Sequence, residues 1–437
     1  MPRDTGTTWT AQQLETRYRN SFGRAAGYLP KSRAALDAWL EDFSRVVHEK
    51  HARNAIVRRR SVDDLARLIE RDGIVRMYAS RMIDEADELH PEAKHKVNDI
   101  PDLLDHLDCI VTSTPEYLPK SDPDRNFFPM SSLFVYMMMT EPGYAVFRDQ
   151  GFNGALLGIL REWCAHLDSD DSQEVLNRAD GWLSPAAWDE LGLDQFRIDP
   201  NDPHGGFPSY NAFFRRELKA GTRPVDGKDD PSIVVAANDG KVVRIRRNIQ
   251  HRDEQFWAKG QLYSLADMLD GSDLTDSFIG GDVFQSFLSG GDYHRWHAPV
   301  TGVVRSARVV EALMFTELEG VDEPSAGTQS QVYGASVNTR GLVFIEAPAP
   351  IGMVCVMPLG MTEISSVTLT VRPGDRVTKG DQLGYFSYGG SSMCLLFQKG
   401  AIGEFLVRDN TTGDMEKGDP IKVNARIART TGSTGKA

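Results

Sequence analysis

Only four cysteines occur in the 437 residues, Cys109, Cys164, Cys355 and Cys394. Their wide, unrelated spacings exclude a disulfide framework and a zinc-site pattern, and a reducing compartment is expected. Long apolar runs are missing too: nothing approaches the about 20 residues that span a bilayer. The opening Met1-Pro2-Arg3-Asp4-Thr5 has no apolar signal-peptide core. Positive charge is in deficit, 49 Lys and Arg against 62 Asp and Glu, for a formal net charge of −13. A nucleic-acid binder would carry a basic stripe, so that class is set aside. The same balance gives no support to docking on anionic lipid. The expectation is a cytoplasmic protein with no stable membrane anchor.

What is present is a globular composition, 41% hydrophobic and 25% charged, in a chain long enough for two to three domains. The first half carries helical periodicity. Leu36, Trp39, Leu40, Phe43, Val46 and Val47 fall on one face, as do Leu156, Ile159, Leu160, Trp163 and Leu167. Ser61 with Asp64 predicts a capping box ahead of Leu65, Leu68 and Ile69. Met137, Met138 and Met139 read as core filling. Residues 198–206 form a turn-rich boundary, after which short β-branched runs alternate with glycine and proline. They include Ile233-Val234-Val235, Leu342-Val343-Phe344-Ile345 and the alternating Val367-Thr368-Leu369-Thr370-Val371. The expected fold class is α+β: a helical region over 1–197, then a β-rich, barrel- or sandwich-like region over 198–437. Residues 319–336 read as a loop.

Chemistry concentrates in three places. Tyr388-Gly389-Gly390-Ser391-Ser392 sets hydroxyls behind two glycines, whose freedom allows an exposed, bent backbone. Asp292-Tyr293-His294-Arg295-Trp296-His297 supplies two imidazoles, and Asn238-Asp239-Gly240 a carboxylate. Serine, histidine and aspartate are the parts of an activated nucleophile. Each also has a plain structural meaning. The glycine–serine run is a turn, Asn238-Asp239-Gly240 a hairpin turn, a lone histidine a hydrogen-bonded structural group, and Ser392 competes with Ser391. A regular strand points His294 and His297 to opposite faces, so one site can use both only if Arg295-Trp296 turns or bulges.

Taken jointly and in order, these elements resemble the phosphatidylserine decarboxylase family. Phe207-Pro208-Ser209-Tyr210-Asn211-Ala212-Phe213-Phe214-Arg215-Arg216 with Arg223-Pro224 adds to the resemblance. So do Lys259-Gly260 with Tyr263-Ser264-Leu265, and Gly374-Asp375-Arg376-Val377 with Lys379-Gly380. It covers roughly 205–425, while the first two hundred residues, with Gly181-Trp182-Leu183-Ser184, resemble the helical extension of the family's soluble fungal L-tryptophan decarboxylase branch. The resemblance implies cleavage between Gly390 and Ser391, with Ser391 as nucleophile becoming a covalent pyruvoyl group and no pyridoxal phosphate needed. It implies His297 as base for the cut, Asp239 orienting it, and His294 in the decarboxylation step. The two fragments are expected to stay associated through shared strands. No metal is implied, and a homodimer is left open. The sequence departs from the family in having Tyr388-Gly389 where many members carry leucine and one glycine.

Without an anchor, and with acidic balance, a free aromatic L-amino acid such as tryptophan fits better than phosphatidylserine. Phe315, Met314 and Met361 are offered for its apolar slot. A rival of another class is a lipoyl-carrier-like module, since Val371–Gly384 looks like half of one, although the lysine such a carrier needs on a hairpin tip has no counterpart in the right context. Lys259 before Gly260 has the bare look of a cofactor lysine, but a lone lysine before glycine is more often a surface residue.

Overall fold

The computed structural model of the chain describes residues 10, 12–13, 30, 32–89, 97–251, 264–316, 333–363, 366–388, 391–409 and 418–431. Helices dominate up to Phe214, and strands follow. The helix Arg33–Ala52 buries Leu36, Leu40 and Val47 and packs Trp39 and Phe43 partly, whereas Val46 is exposed. The stripe of the helix Gln150–Leu167 is buried throughout: Leu156, Ile159, Leu160, Trp163 and Leu167. Asp149 caps that helix through the Phe152 N–H at 2.9 Å. Met137, Met138 and Met139 are core residues.

The capping box at Ser61 does not form. The helix begins at Arg60, and Ser61 lies inside its first turn. Carboxylates from neighbouring helices take the exposed donors instead: Asp108 accepts from the Arg59 N–H at 2.8 Å and Glu162 from the Ser61 N–H at 3.0 Å.

Among the described residues fourteen short strands follow: β1 (Ile233–Val235), β2 (Gly240–Arg247), β3 (Asp282–Leu288), β4 (Arg295–His297), β5 (Gly302–Val310), β6 (Arg340–Glu346), β7 (Met353–Gly360), β8 (Val367–Leu369), β9 (Arg376–Val377), β10 (Gln382–Phe386), β11 (Ser391–Phe397), β12 (Ile402–Phe405), β13 (Pro420–Ile421) and β14 (Arg426–Thr430). Eight of them make one curled antiparallel sheet in the order β13-β2-β3-β11-β7-β6-β5-β9, and two three-stranded sheets, β1-β14-β12 and β4-β10-β8, complete the region. The expected α+β class, helices first and a β-rich region after, is what the chain adopts.

The large sheet has a core on each face. Met393, Leu395 and Phe397 of β11 join the core shared with the helices. Cys394 and Leu396 join a second core with Leu265, Met268 and Phe278. Strands covered on both faces read as continuous apolar runs, without alternation. Both β3 and β11 are buried at every position.

Two further expectations change. Asn238-Asp239-Gly240 is not a hairpin turn, because β1 pairs with β14 while β2 pairs with β3 and β13. Gly240 holds φ 150°, and a Cβ there would run into the Phe287 carbonyl, so the chain passes close under β3 at this point. The strand at 367 ends at Leu369, and the alternation holds in its packing, with Val367, Leu369 and Val371 lying against the core. Residues 333–337 are helical rather than loop; the rest of 319–336 up to 332, with Lys259, Gly260, Tyr263, Gly389 and Gly390, lies outside the described residues.

Candidate active site

β11 begins at Ser391, in the middle of the large sheet, opposite Leu288 on β3 and Gly360 on β7. Both serines are fully buried, but their hydroxyls differ. Ser392 Oγ donates to the Ser286 carbonyl at 2.9 Å and accepts from Gln285 Nε2 at 2.9 Å. Ser391 Oγ has no hydrogen-bond partner among the described residues. A buried polar atom left unpaired costs about 1–3 kcal/mol, and such a cost points to a group kept for something other than packing. By side-chain parity Ser391 faces the core shared with the helices, the side of Met393 and Leu395. An orphaned hydroxyl at the head of a strand fits the residue from which a pyruvoyl group would be made.

The two histidines are held by different atoms. His297 closes β4, and its Nδ1 lies 2.7 Å from the Gly380 carbonyl, which can only accept, so Nδ1 carries the proton. Nε2 is then the basic nitrogen, and the Tyr293 hydroxyl donates to it at 2.8 Å. Burial pushes the His297 pKa down, the Gly380 hydrogen bond opposes it, Arg295 adds to the lowering and Asp239 counters it; the net is below the ordinary value. His294 precedes the strand and is completely buried. Its Nδ1 donates to the Asp292 carbonyl at 2.8 Å, and its ring stacks on Phe214 at 4.0 Å between centroids. Arg295 and Trp296 themselves stay in regular strand. The irregularity lies on the partner strand, between Gln382 and Gly384. His294 lies just ahead of β4, and its carbonyl still accepts from the Phe386 N–H of β10 at 3.0 Å.

Asp239 is buried, and no hydrogen bond joins it to His297. Arg223 grips its carboxylate at 2.8 and 3.1 Å, Lys422 Nζ lies at 2.9 Å, and the Val423 N–H donates at 2.8 Å. Burial alone would raise its pKa, but Lys422, Arg223 and the Val423 N–H together hold it below the usual carboxylate value. Its link to His297 is therefore through charge. A cavity of about 250 Å³ opens beside Asp239, Asp292, Tyr293, Arg216 and Lys422.

Sequence reasoning missed a cluster of aromatic rings around Tyr388, three residues before the serine. Tyr388 lies 5.0 Å from Trp163, 5.6 Å from Tyr210, 5.7 Å from Phe214 and 6.0 Å from Phe128, between centroids. The Tyr388 N–H donates to Asn211 Oδ1 at 2.9 Å, so the motif around Phe207–Arg216 builds this cluster as well as seating His294. It missed Glu363 too. This buried carboxylate accepts from the Met130 and Ser131 N–H groups and the Ser131 hydroxyl, and burial pushes its pKa up to about 7. The available signal was Tyr388 itself, an aromatic where the family pattern has leucine. Phe315, Met314 and Met361 are buried, with Phe315 packed on Phe134 and Phe147.

Residues 210–429 match the family model described as phosphatidylserine decarboxylase, and a second model of that description matches residues 59–191. The chain belongs to the phosphatidylserine decarboxylase family and is a decarboxylase, a carboxy-lyase. This displaces the carrier-module reading of Val371–Gly384. In the structure Gly380 of that stretch holds His297, and the Lys379 ammonium is tied to the Gly227 and Asp230 carbonyls at 2.7 and 2.8 Å. Among its relatives, the protein named decarboxylase iboD of Amanita muscaria is 35% identical, over 74% of this chain and 99% of its own length. The L-tryptophan decarboxylase of Psilocybe cyanescens is 28% identical over 93% of this chain and 94% of its own, and that of Psilocybe cubensis 30% over 69% and 73%. No helix among the described residues is long and apolar enough to cross a membrane.

Proposed function

We propose that the chain cuts itself between Gly390 and Ser391, converts Ser391 to a pyruvoyl group, and decarboxylates an aromatic L-amino acid, tryptophan foremost, to the amine and carbon dioxide. In this reading the unit over 198–437 carries the chemistry and the helical unit over 1–197 shapes the site. The observation that carries it is the contrast at the head of β11: Ser392 is hydrogen-bonded and Ser391 is not.

For the cut, Ser391 Oγ attacks the Gly390 carbonyl carbon, its proton passes to a base, and the peptide C–N bond breaks as the residue 391 nitrogen takes up a proton. The chain is then an ester. Removal of the Cα proton expels the Gly390 carboxylate from Cβ, and water hydrolyses the resulting dehydroalanine to a ketone with loss of ammonia. His297 Nε2 is the base. Since Tyr293 donates to that nitrogen, the serine proton reaches it through the Tyr293 hydroxyl or after that hydroxyl turns away. Buried His297 has a depressed pKa and stays neutral, as a base must. Asp239 supplies negative charge that favours the imidazolium once it forms.

A pyruvoyl group at position 391 supplies the electron sink for the carboxylate's departure, so no pyridoxal phosphate is required. The chain's own part is binding and proton delivery. His294, with Nδ1 committed to Asp292, exchanges protons at Nε2 and serves the decarboxylation step. The substrate assignment is supported by the two relatives named L-tryptophan decarboxylases and by the aromatic cluster at Tyr388. A free amino acid is also consistent with the lack of a membrane-crossing helix among the described residues.

Intact mass of the purified protein tests the cut: two fragments are expected, the smaller beginning at residue 391 with a ketone in place of an amine. Amine release from tryptophan, with no added cofactor, tests the reaction. A single chain of full mass with unmodified Ser391 in active protein overturns the first. Turnover of phosphatidylserine vesicles with no amine from any aromatic amino acid overturns the second.

A further inference from the structure

Tyr388 stands three positions before Ser391, and the residue is only 3% exposed. Trp163, Tyr210 and Phe214 present edges to it and Phe128 lies nearly parallel. Phe214 then stacks on His294. The enclosure is thus the size of an aromatic ring and ends at the imidazole assigned to decarboxylation. Two of its walls, Phe128 and Trp163, come from the helical region. Glu363 is close enough for its charge to act on the Tyr388 phenol, but its oxygens are spoken for by Met130 and Ser131. A neutral ring therefore suits the enclosure.

The Tyr388 hydroxyl does not suit it. That oxygen is buried and has no hydrogen-bond partner among the described residues. An unpaired buried hydroxyl costs about 1–3 kcal/mol, which hydration outside would recover. In the uncut chain residue 388 is tied to β10 on one side and to β11 on the other, both in sheets. A cut after Gly390 removes the second tie and leaves Tyr388 third from a chain end, where order is weakest.

We propose that this aromatic enclosure is the subsite for the substrate's ring, and that Tyr388 fills it in the uncut chain and yields it after the cut. The inference rests on the self-cleavage and aromatic-substrate reading above. It gives the helical region a part in substrate choice through Phe128 and Trp163. Self-cleavage would then do two things, making the reactive group and emptying the place beside it.

Indole is the probe, since it carries the ring without the amino acid. Ser391→Ala keeps the chain uncut. Calorimetry should find indole binding to Ser391→Ala at least tenfold weaker than to the double variants Ser391→Ala/Tyr388→Ala and Ser391→Ala/Tyr388→Leu; the leucine variant fills part of the space if the alanine variant fails to fold. Equal binding by Ser391→Ala and the leucine double variant overturns the proposal. The unaltered, cut protein gives an independent reading: carboxypeptidase should remove Gly390, Gly389 and then Tyr388. A tyrosine that resists release is still held in the enclosure, and the proposal falls. The two readings separate cleanly. A full-length mass in the unaltered protein sinks the cleavage itself, whereas cut protein that binds no indole sinks the subsite alone.

Discussion

Ser131, at the start of the helix Pro129–Met138, and Glu363, in the β-rich region, are joined twice. The Ser131 N–H donates to Oε1 at 2.8 Å and its hydroxyl to Oε2 at 2.7 Å, with the Met130 N–H adding a third bond at 2.6 Å. Phe128, the helix's own cap residue, offers no side-chain hydrogen bond, so a residue more than 230 positions later does the capping. Negative charge at a helix N-terminus is favourable, but this carboxylate is wholly buried.

That burial predicts a pH effect on stability. The Glu363 pKa rises from 4.5 to about 7 on folding, so the folded chain holds the proton more tightly than the unfolded one. Its contribution is fully present below about 4.5 and is lost as pH rises through about 7, roughly 3 kcal/mol over that window by linkage. Melting temperature measured from pH 5 to 8 should fall in the natural protein and fall less in Glu363→Gln.

Ser391→Ala and Ser392→Ala should part company. The first should abolish the cut and cost no stability, because the hydroxyl it removes has no partner. The second should still cut but melt lower, by about 1–3 kcal/mol, since Gln285 loses its acceptor and Ser286 a donor. Gels and thermal melts of both variants decide this.

The histidines should separate by step. His297→Ala should leave precursor uncut, while His294→Ala should cut and then decarboxylate poorly. A base works when unprotonated, and burial lowers the His297 pKa beneath its ordinary 6.5. Processing of freshly translated precursor should therefore hold its rate from pH 8 down past 6.5 and slow only below that. A decline already complete at pH 7 would mean another group is the base.

Asp239→Asn should act on two scales. It takes the charge partner from Arg223, whose side chain is only 10% exposed and keeps just its Nε bond to Gln195, and loses the Lys422 pair. Breaking a buried pair from one side costs about 3–5 kcal/mol, so the melting temperature should drop by several degrees. It also removes a charge that raises the His297 pKa. The fall in processing at low pH should move to still lower pH, even as the rate itself declines. A normal melting temperature would show that the Arg223 grip contributes little.

Local signals made much of this site legible. The motif Phe207–Arg216 could be read because its turn, cap and rings are consecutive, and it does hold Tyr388, His294 and the Asp292 carbonyl. Helical stripes at Gln150–Leu167 were readable because one face is solvated and the periodicity survives. Strands β3 and β11 gave no such pattern, being covered on both faces. Partnerships across long separations left no local trace: Glu363 with Ser131, Asp239 with Arg223 and Lys422, and His297 with Gly380. The capping box at Ser61 failed for the same reason, since carboxylates on distant helices took the donors that a local cap would have used.

β11 lies between β3 and β7, with seven residues from Ser391 to Phe397 matched on each side. A break in the backbone just ahead of Ser391 would therefore fall at the lip of the sheet and leave a strand of the smaller piece laced through the larger one. Such a pair has no separable interface, because the surface between the pieces is the interior of the fold. Dilution should not part them, and only unfolding should. Equally, β11 finds both its neighbours in the other piece, so the two should not reassemble after denaturation as the unbroken chain can. The cut would turn a reversible fold into one that can be made only once.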